Sequence, residues 1–378
     1  MIERALLDDL WTAKEILQQP KTWLETSDTV LAEAQRLQHF LGPVDQHEPL
    51  TILLVGAGSS AYAGASIAEI LSRQFRATVL AVPSTDLLTE ESSPLMFHGR
   101  HVCISLSRSA QSPECVAVIQ KMQSKYPELP QLLITCNRSA EILSKMASTD
   151  NFSTIVLADA TNDRSLAMTS SFTNMVIAGQ SLANLHVPDG YRSLVTQLSS
   201  AAAEHLPYAS ELAASLSSRG FARTCFLGSG SLHAVAKESA LKVLELTAGE
   251  IFSFSETFLG LRHGPLAALN RDTLVVGLLS SESPRRAYEI DLLKELRRKE
   301  VAGTVVAIGL NASRDTAGVT DESLDLAVEG IPDDFLPPVS VIFGQLLGLT
   351  MSLSRGFNPD SPSRSGAISR VVPPITIY

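Results

Sequence analysis

Thr51-Ile-Leu-Leu-Val55 runs without interruption into Gly56-Ala-Gly-Ser-Ser60, and from Ala61 to Phe75 the chain takes an Ala-rich helical pattern. A short apolar run, a glycine turn and a helix make the first half of an α/β unit. Further apolar stretches at Thr78–Val82, Val102–Leu106 and Leu132–Cys136 each lead into Ser, Asn or Thr and then a helix-like stretch. Continuous apolar strands alternating with helices predict a parallel sheet covered on both faces.

The same pattern recurs further on. Gly56 has a counterpart in Gly228 of Gly228-Ser-Gly-Ser231, Pro113 in Pro284, Asn137 in Asn311 and Asp163 in Asp333. Each pair alone is weak, but the four occur in order and all lie 170–174 residues apart. Two similar α/β domains are therefore expected, at 46–205 and 210–355, with a helical segment at 1–45 before them and a tail at 356–378 after them. Pro20 and Pro43 are expected to break the N-terminal helical pattern.

At 378 residues, two to three domains of about 150 residues are expected. Thirty Lys and Arg against 40 Asp and Glu give a net charge of −10. That charge argues against nucleic acid or an anionic membrane as partner. A small anionic ligand remains open, because a helix N-terminus can hold one with backbone N–H groups. The four cysteines form no CxxC pair and have no His at ligand spacing, so buried reduced thiols are expected and no metal site. Acids and bases mixed through the first nine residues do not read as a signal peptide. The apolar run Val339–Leu353 is interrupted by Ser340, Gln345 and glycines, short of the roughly 18 residues of a membrane span. A cytoplasmic location is expected.

Two loops invite an anion. In the first, Ser59 and Ser60 follow the glycines at a helix start. A dinucleotide fingerprint would want a third Gly where Ala61 stands and an acid closer than Asp86, so that reading is disfavoured. The second loop, Ser107-Arg-Ser-Ala-Gln-Ser112, sets three hydroxyls and a guanidinium after the strand Val102–Leu106, with Pro113 and Glu114 suited to the next helical turn. Ser107, Ser109 and Ser112 can wrap a phosphate; the alternative is a capping Ser in a solvated loop. In the second half, Glu238, Lys242 and Glu245 share one helix face. They form either a surface salt-bridge ladder or, near the loop end of the sheet, a tuned general base. His263 stands in a Gly-flanked loop, and His233 is the runner-up among the histidines.

These motifs resemble the sugar isomerase domain, in which a GxGxS loop and an SxSGxT/S loop hold a sugar phosphate. Ala110 stands where that family usually has Gly. The segments ITCN from Ile134, DRSLAMTSSFT from Asp163, ESALKVLELTAG from Glu238, RHGP from Arg262, DLLKELRR from Asp291 and NPDSP from Asn358 are similar to the galactosamine-6-phosphate deaminase/isomerase group, also labelled tagatose-6-phosphate ketose/aldose isomerase. That likeness spans essentially the whole chain and implies two tandem sugar isomerase domains of α/β class.

The implied reaction converts galactosamine 6-phosphate into tagatose 6-phosphate and ammonia. It needs ring opening, transfer of the C2 proton to C1 through an enolamine, and attack of water on the ketimine, a step of hydrolase type. No step requires a metal or redox cofactor. The resemblance implies Glu245 as the C2/C1 base, His263 as the ring-opening group, Lys242 as the residue that orients the substrate and Glu238 as its support. Ser59, Ser60, Ser107, Ser109 and Ser112, with Thr169, are implied for the phosphate. In the related glucosamine-6-phosphate synthase the histidine comes from a neighbouring subunit, so a homodimer or homotetramer with a shared active site is implied. That synthase also carries a tail Lys; the tail here has only Arg364 and Arg370, which disfavours an imine from the tail. Arg108 is open between a charge partner for the phosphate and a solvent-facing role. Competing readings are a plain aldose–ketose isomerase or deglycase, and a non-catalytic sugar-phosphate sensor.

Overall fold

The computed structural model describes residues 9–42, 48–89 and 99–378; the expected break at Pro43 and the two ends of the N-terminal segment lie outside them. The chain forms two units. The first gathers Lys21–Asp163, Ser170–Val195 and Ile368–Tyr378; the second gathers the residues up to Pro20, Arg164–Thr169 and Thr196–Ala367.

The first unit is built on β1 (Leu50–Gly56), β2 (Thr78–Pro83), β3 (Arg100–Ser107), β4 (Gln131–Thr135) and β5 (Phe152–Val156), in the order β2-β1-β3-β4-β5. All pairs are parallel, with Thr51 opposite Thr78, Leu50 opposite Arg100, Cys103 opposite Gln131 and Gln131 opposite Phe152. The second unit holds β6 (Arg223–Leu227), β7 (Phe252–Glu256), β8 (Thr273–Leu278), β9 (Thr304–Gly309) and β10 (Glu322–Asp325), in the order β7-β6-β8-β9-β10 and again wholly parallel. Counted within each unit, both sheets read 2-1-3-4-5, an order of doubly wound α/β folds. The repeat in the sequence is thus a repeat of topology.

β1, β4, β8 and β9 are buried from end to end, which is why Ile52–Val55, Leu132–Ile134, Leu274–Val276 and Val305–Ile308 are apolar without a break. The apolar stretches named from the sequence become β1 to β4; of the remaining strands, β5, β7 and β10 lie at sheet edges and mix hydroxyls or acids with apolar residues. These three are only partly buried, and no continuous apolar run marks them.

In the first unit every residue of the helix Ser170–Ala183 is buried, and buried Trp23 donates from Nε1 to Thr173 Oγ1 at 2.9 Å. Thr26 Oγ1 donates to Asn174 Oδ1 at 2.7 Å. In the second unit the helix Pro337–Ser354 packs against Ser231–Leu246. By length and composition Pro337–Ser354 is apolar enough to cross a membrane, yet 337–352 are buried as in a core helix. Pro20 falls in the first turn of the helix Gln19–Ala32, where its missing N–H costs nothing, and a further break comes at Glu33. Cys103, Cys115, Cys136 and Cys225 are free and buried, as expected. Burial pushes the Cys103 and Cys136 thiols up to about 12 and Cys115 to about 11, so the neutral thiol persists at physiological pH.

Candidate active site

The two glycine loops are near copies. Gly58 has φ 54° and ψ −127° ahead of the helix Ser59–Phe75, and Gly230 has φ 57° and ψ −131° ahead of the helix Ser231–Leu246. Side chains rarely enter that region of backbone space. A Cβ on Gly56 would sit 2.6 Å from the Ser60 carbonyl carbon, and one on Gly228 would sit 2.2 Å from the Leu232 carbonyl oxygen. Glycine therefore lets each strand end press against the first turn of the following helix. Ser59 and Ser60 open the first of these helices and are buried.

The Ser107–Ser112 loop follows β3. Ser107 Oγ accepts from Ala110 N at 3.0 Å, Ser109 Oγ from Gln111 N at 3.2 Å and Ser112 Oγ from Cys115 N at 3.4 Å. The last is the N-cap of the helix Pro113–Lys125. Each hydroxyl thus uses its oxygen to shape the loop, while its O–H remains a donor in kind. The turn passes through Ala110 at φ 47°, a left-handed conformation natural to the Gly that the resemblance expects there. Asn137, noted in the sequence as a repeat marker and as the end of the ITCN segment, holds the loop in place: its Nδ2 donates to Ser109 O at 2.8 Å and its Oδ1 accepts from Ser139 N at 3.0 Å. Its position at the end of β4, beside the loop after β3, was the signal available.

Arg108 does not face solvent. Its side chain is buried and its Nη2 donates to the Arg370 carbonyl. Arg370 donates from Nε to Asp163 O at 2.6 Å and from Nη2 to Asn162 Oδ1 at 2.6 Å. The Asp163 carboxylate caps the helix Ser170–Ala183 through the N–H and hydroxyl groups of Ser170 and Ser171. Thr169 belongs to the short segment Arg164–Thr169 of the second unit, where it is fully buried and its carbonyl accepts from Gln345 Nε2 at 3.2 Å.

In the second unit Glu238, Lys242 and Glu245 lie on one face of the helix Ser231–Leu246, as their spacing predicts. They are not a surface ladder. Lys242 is wholly buried, with Nζ 2.6 Å from Glu245 Oε2 and 3.2 Å from Glu238 Oε1. Burial works to lower the Lys242 pKa, and the two carboxylates outweigh it, holding it above the ordinary lysine value. The Glu238 side chain is fully buried, whereas that of Glu245 is 24% exposed. Of the three, only Glu245 meets solvent.

His263 ends the short 3-10 turn Gly260–His263 and is exposed. Its neighbour Arg262 is tied by Nε to Glu295 Oε2 at 3.0 Å, which gives the DLLKELRR segment a part in holding the turn. Glu256, which sequence reading missed, ends β7 and takes Thr257 N on Oε1 at 2.8 Å. A Cβ on Gly260 would come within 2.7 Å of that oxygen, so the turn carrying His263 folds closely over Glu256. An acid closing an edge strand was the available signal. His233 is half-buried, and burial together with Lys237 lowers its pKa. Among the described residues, no three of His, Cys, Asp and Glu converge as a metal-ligand set.

Two doubly wound units of one topology, each with a glycine loop that opens a helix, and a serine loop after the third strand of the first, define a tandem sugar isomerase domain protein. The C-terminal domain of glucosamine-fructose-6-phosphate aminotransferase from Francisella tularensis has this fold, with a TM-score of 0.78 over 93% of this chain and 98% of that one at 18% identity. No family model matches the chain. A D-galactosamine-6-phosphate deaminase AgaS of Escherichia coli is 35% identical over 97% of this chain and 95% of its own length, and one of Shewanella sp. (strain ANA-3) is 32% identical over 97% and 92%. The crystal structure of a tagatose-6-phosphate ketose/aldose isomerase from Escherichia coli superimposes with a TM-score of 0.85, covering 93% of this chain and 95% of that one at 33% identity. The chain belongs to the D-galactosamine-6-phosphate deaminase AgaS family. The relatives' names are those of deaminases and isomerases, and the hydrolase class expected from the final water step does not fit isomerase chemistry.

Proposed function

We propose that this chain is an enzyme that converts galactosamine 6-phosphate and water into tagatose 6-phosphate and ammonia. The observation that carries the reading is Lys242, buried between Glu238 and the partly exposed Glu245. A buried ammonium held by two carboxylates fixes the direction of the one that meets solvent, which is what a positioned base requires.

His263 moves a proton between O5 and O1 as the ring opens. Glu245 takes the proton from C2, giving an enolamine, and returns it to C1, giving a ketimine at C2. Water adds to that carbon, the C–N bond breaks and ammonia leaves. Lys242 orients the open-chain substrate, and Glu238 positions Lys242. The hydroxyls of Ser59, Ser60, Ser107, Ser109 and Ser112, with Thr169, are assigned to the phosphate; three of them sit on a loop whose shape their own oxygens set. The two sugar isomerase domains are assigned to 46–205 and 210–355. A cytoplasmic homodimer or homotetramer, with His263 supplied across subunits, accords with its exposure on the single chain.

Purified protein is mixed with galactosamine 6-phosphate and, separately, glucosamine 6-phosphate, and ammonia and ketose phosphate are measured together. The reading predicts equal amounts of both products from the galactosamine compound and a loss of about 10²–10⁴-fold in rate for Glu245→Gln. Ketose formed from a non-amino aldose phosphate with no ammonia from either amino sugar would replace it with plain isomerisation, which the name of the Escherichia coli isomerase structure favours as the second reading.

A further inference from the structure

The second unit carries its own serine loop. After β8 the chain runs Leu279-Ser-Ser-Glu-Ser-Pro284 into the helix Ser283–Lys299, 171 residues beyond Arg108-Ser-Ala-Gln-Ser-Pro113. Hydroxyls stand at Ser280, Ser281 and Ser283, with a guanidinium at Arg285 in the first turn of the helix.

This loop already holds an anion. Asp333 Oδ1 accepts from Ser281 N and from Ser281 Oγ, each at 2.6 Å. Its Oδ2 accepts from the Ser280 hydroxyl and from Arg285 Nη1, the latter at 3.0 Å. Asp333 is 1% exposed. A backbone N–H, two hydroxyls and a guanidinium converging beside a helix N-terminus are the donors a phosphate would ask for. The residue at the same place in the first repeat, Asp163, turns both carboxylate oxygens to Ser170 and Ser171 instead. A second buried carboxyl, that of Glu289, also takes a bond from this loop. Glu289 is 1% exposed, its Oε2 takes Ser280 N at 2.8 Å, and its Oε1 is sealed from solvent without a hydrogen-bond partner. Burial raises its pKa.

We propose that Asp333 is the built-in anion of the second unit, filling a loop that would otherwise take a phosphate group, so that one chain holds one phosphosugar although it carries two serine loops. The inference rests on the reading that the first unit's serine loop holds the substrate phosphate. It makes Asp333 a specificity-determining residue: shortening its side chain exchanges an internal carboxylate for an external phosphate.

Inorganic phosphate is the probe, counted per chain by equilibrium dialysis of the full-length protein, with the thermal midpoint followed over the same phosphate range. The wild type binds one phosphate. Asp333→Ser binds two, and its midpoint, lowered without phosphate, climbs back as phosphate is added. Asp333→Asn keeps the side chain in place and binds one. An Asp333→Ser protein that folds and binds no more phosphate than the wild type overturns the proposal. So does one that stays unfolded at 50 mM phosphate while Asp333→Asn folds, because the loop then demands the carboxylate itself. If the wild type binds none and Asp333→Ser binds one, the phosphate reading of the first loop fails while the role of Asp333 stands.

Discussion

Lys242 Nζ lies between Glu238 Oε1 at 3.2 Å and Glu245 Oε2 at 2.6 Å, and neither Lys242 nor Glu238 exposes any of its side chain. A buried pair of this kind is costly to break from one side, because the partner left behind is a charge out of water. Lys242→Met is expected to destabilise the protein by about 3–5 kcal/mol, and Glu238→Gln together with Lys242→Met by clearly less. Urea unfolding of the two variants measures the difference. Equal losses would mean that Glu238 finds another way to discharge.

Ala110 holds φ 47° inside a buried turn whose N–H is fixed by Ser107. Left-handed backbone costs a non-glycine residue about 1–2 kcal/mol, part of which glycine gives back in unfolded-chain entropy. Ala110→Gly should therefore raise stability by about 1 kcal/mol, seen as a higher thermal midpoint. A drop would show that the methyl group packs for more than the strain it causes.

Asn137 reaches Ser109 through the backbone carbonyl and does not depend on any ligand for its bond. Asn137→Ala frees the serine loop without removing a hydroxyl. The expected result is a KM for the phosphosugar raised about tenfold, the equivalent of one lost hydrogen bond of about 1.4 kcal/mol, with kcat little changed. A fall in kcat at constant KM would place Asn137 in the chemical step instead.

His205 Nε2 accepts from Ala327 N at 2.6 Å, and burial holds its pKa below the ordinary histidine value, against the pull of Glu204 and Asp325. The folded state therefore favours the neutral ring. Its contribution to stability is complete above the unfolded pKa of about 6.5 and is lost as pH falls through the lower folded value. His233 is shifted in the same direction. Thermal midpoints measured from pH 8 to pH 5 should fall, and His205→Gln should flatten part of that slope. An unchanged slope would exclude His205 as a source.

Much of this protein was legible without coordinates, because local chemistry dictated it. Gly56 and Gly58 are glycine because the strand end touches the helix and the backbone turns through positive φ, and the same demand recurs at Gly228 and Gly230. The apolar runs Ile52–Val55 and Leu132–Ile134 announce β1 and β4 as strands covered on both faces. The spacing of Glu238, Lys242 and Glu245 set them on one helix face for any fold that keeps the helix.

What the sequence left undecided was burial and partnership, which depend on residues far away in the chain. Tertiary packing, which includes the contact of the helix Ser231–Leu246 with Pro337–Ser354, makes Lys242 a buried cation instead of a surface one. Arg108 read as open between solvent and ligand until its bond to the Arg370 carbonyl, 262 positions away, was seen. Asp163 and Asp333 occupy matching places in the repeat and take different partners, one capping a helix and the other filling a serine loop. A spacing rule carries the backbone of a repeat; where each carboxylate points is settled by the donors that tertiary structure brings within 3 Å of it.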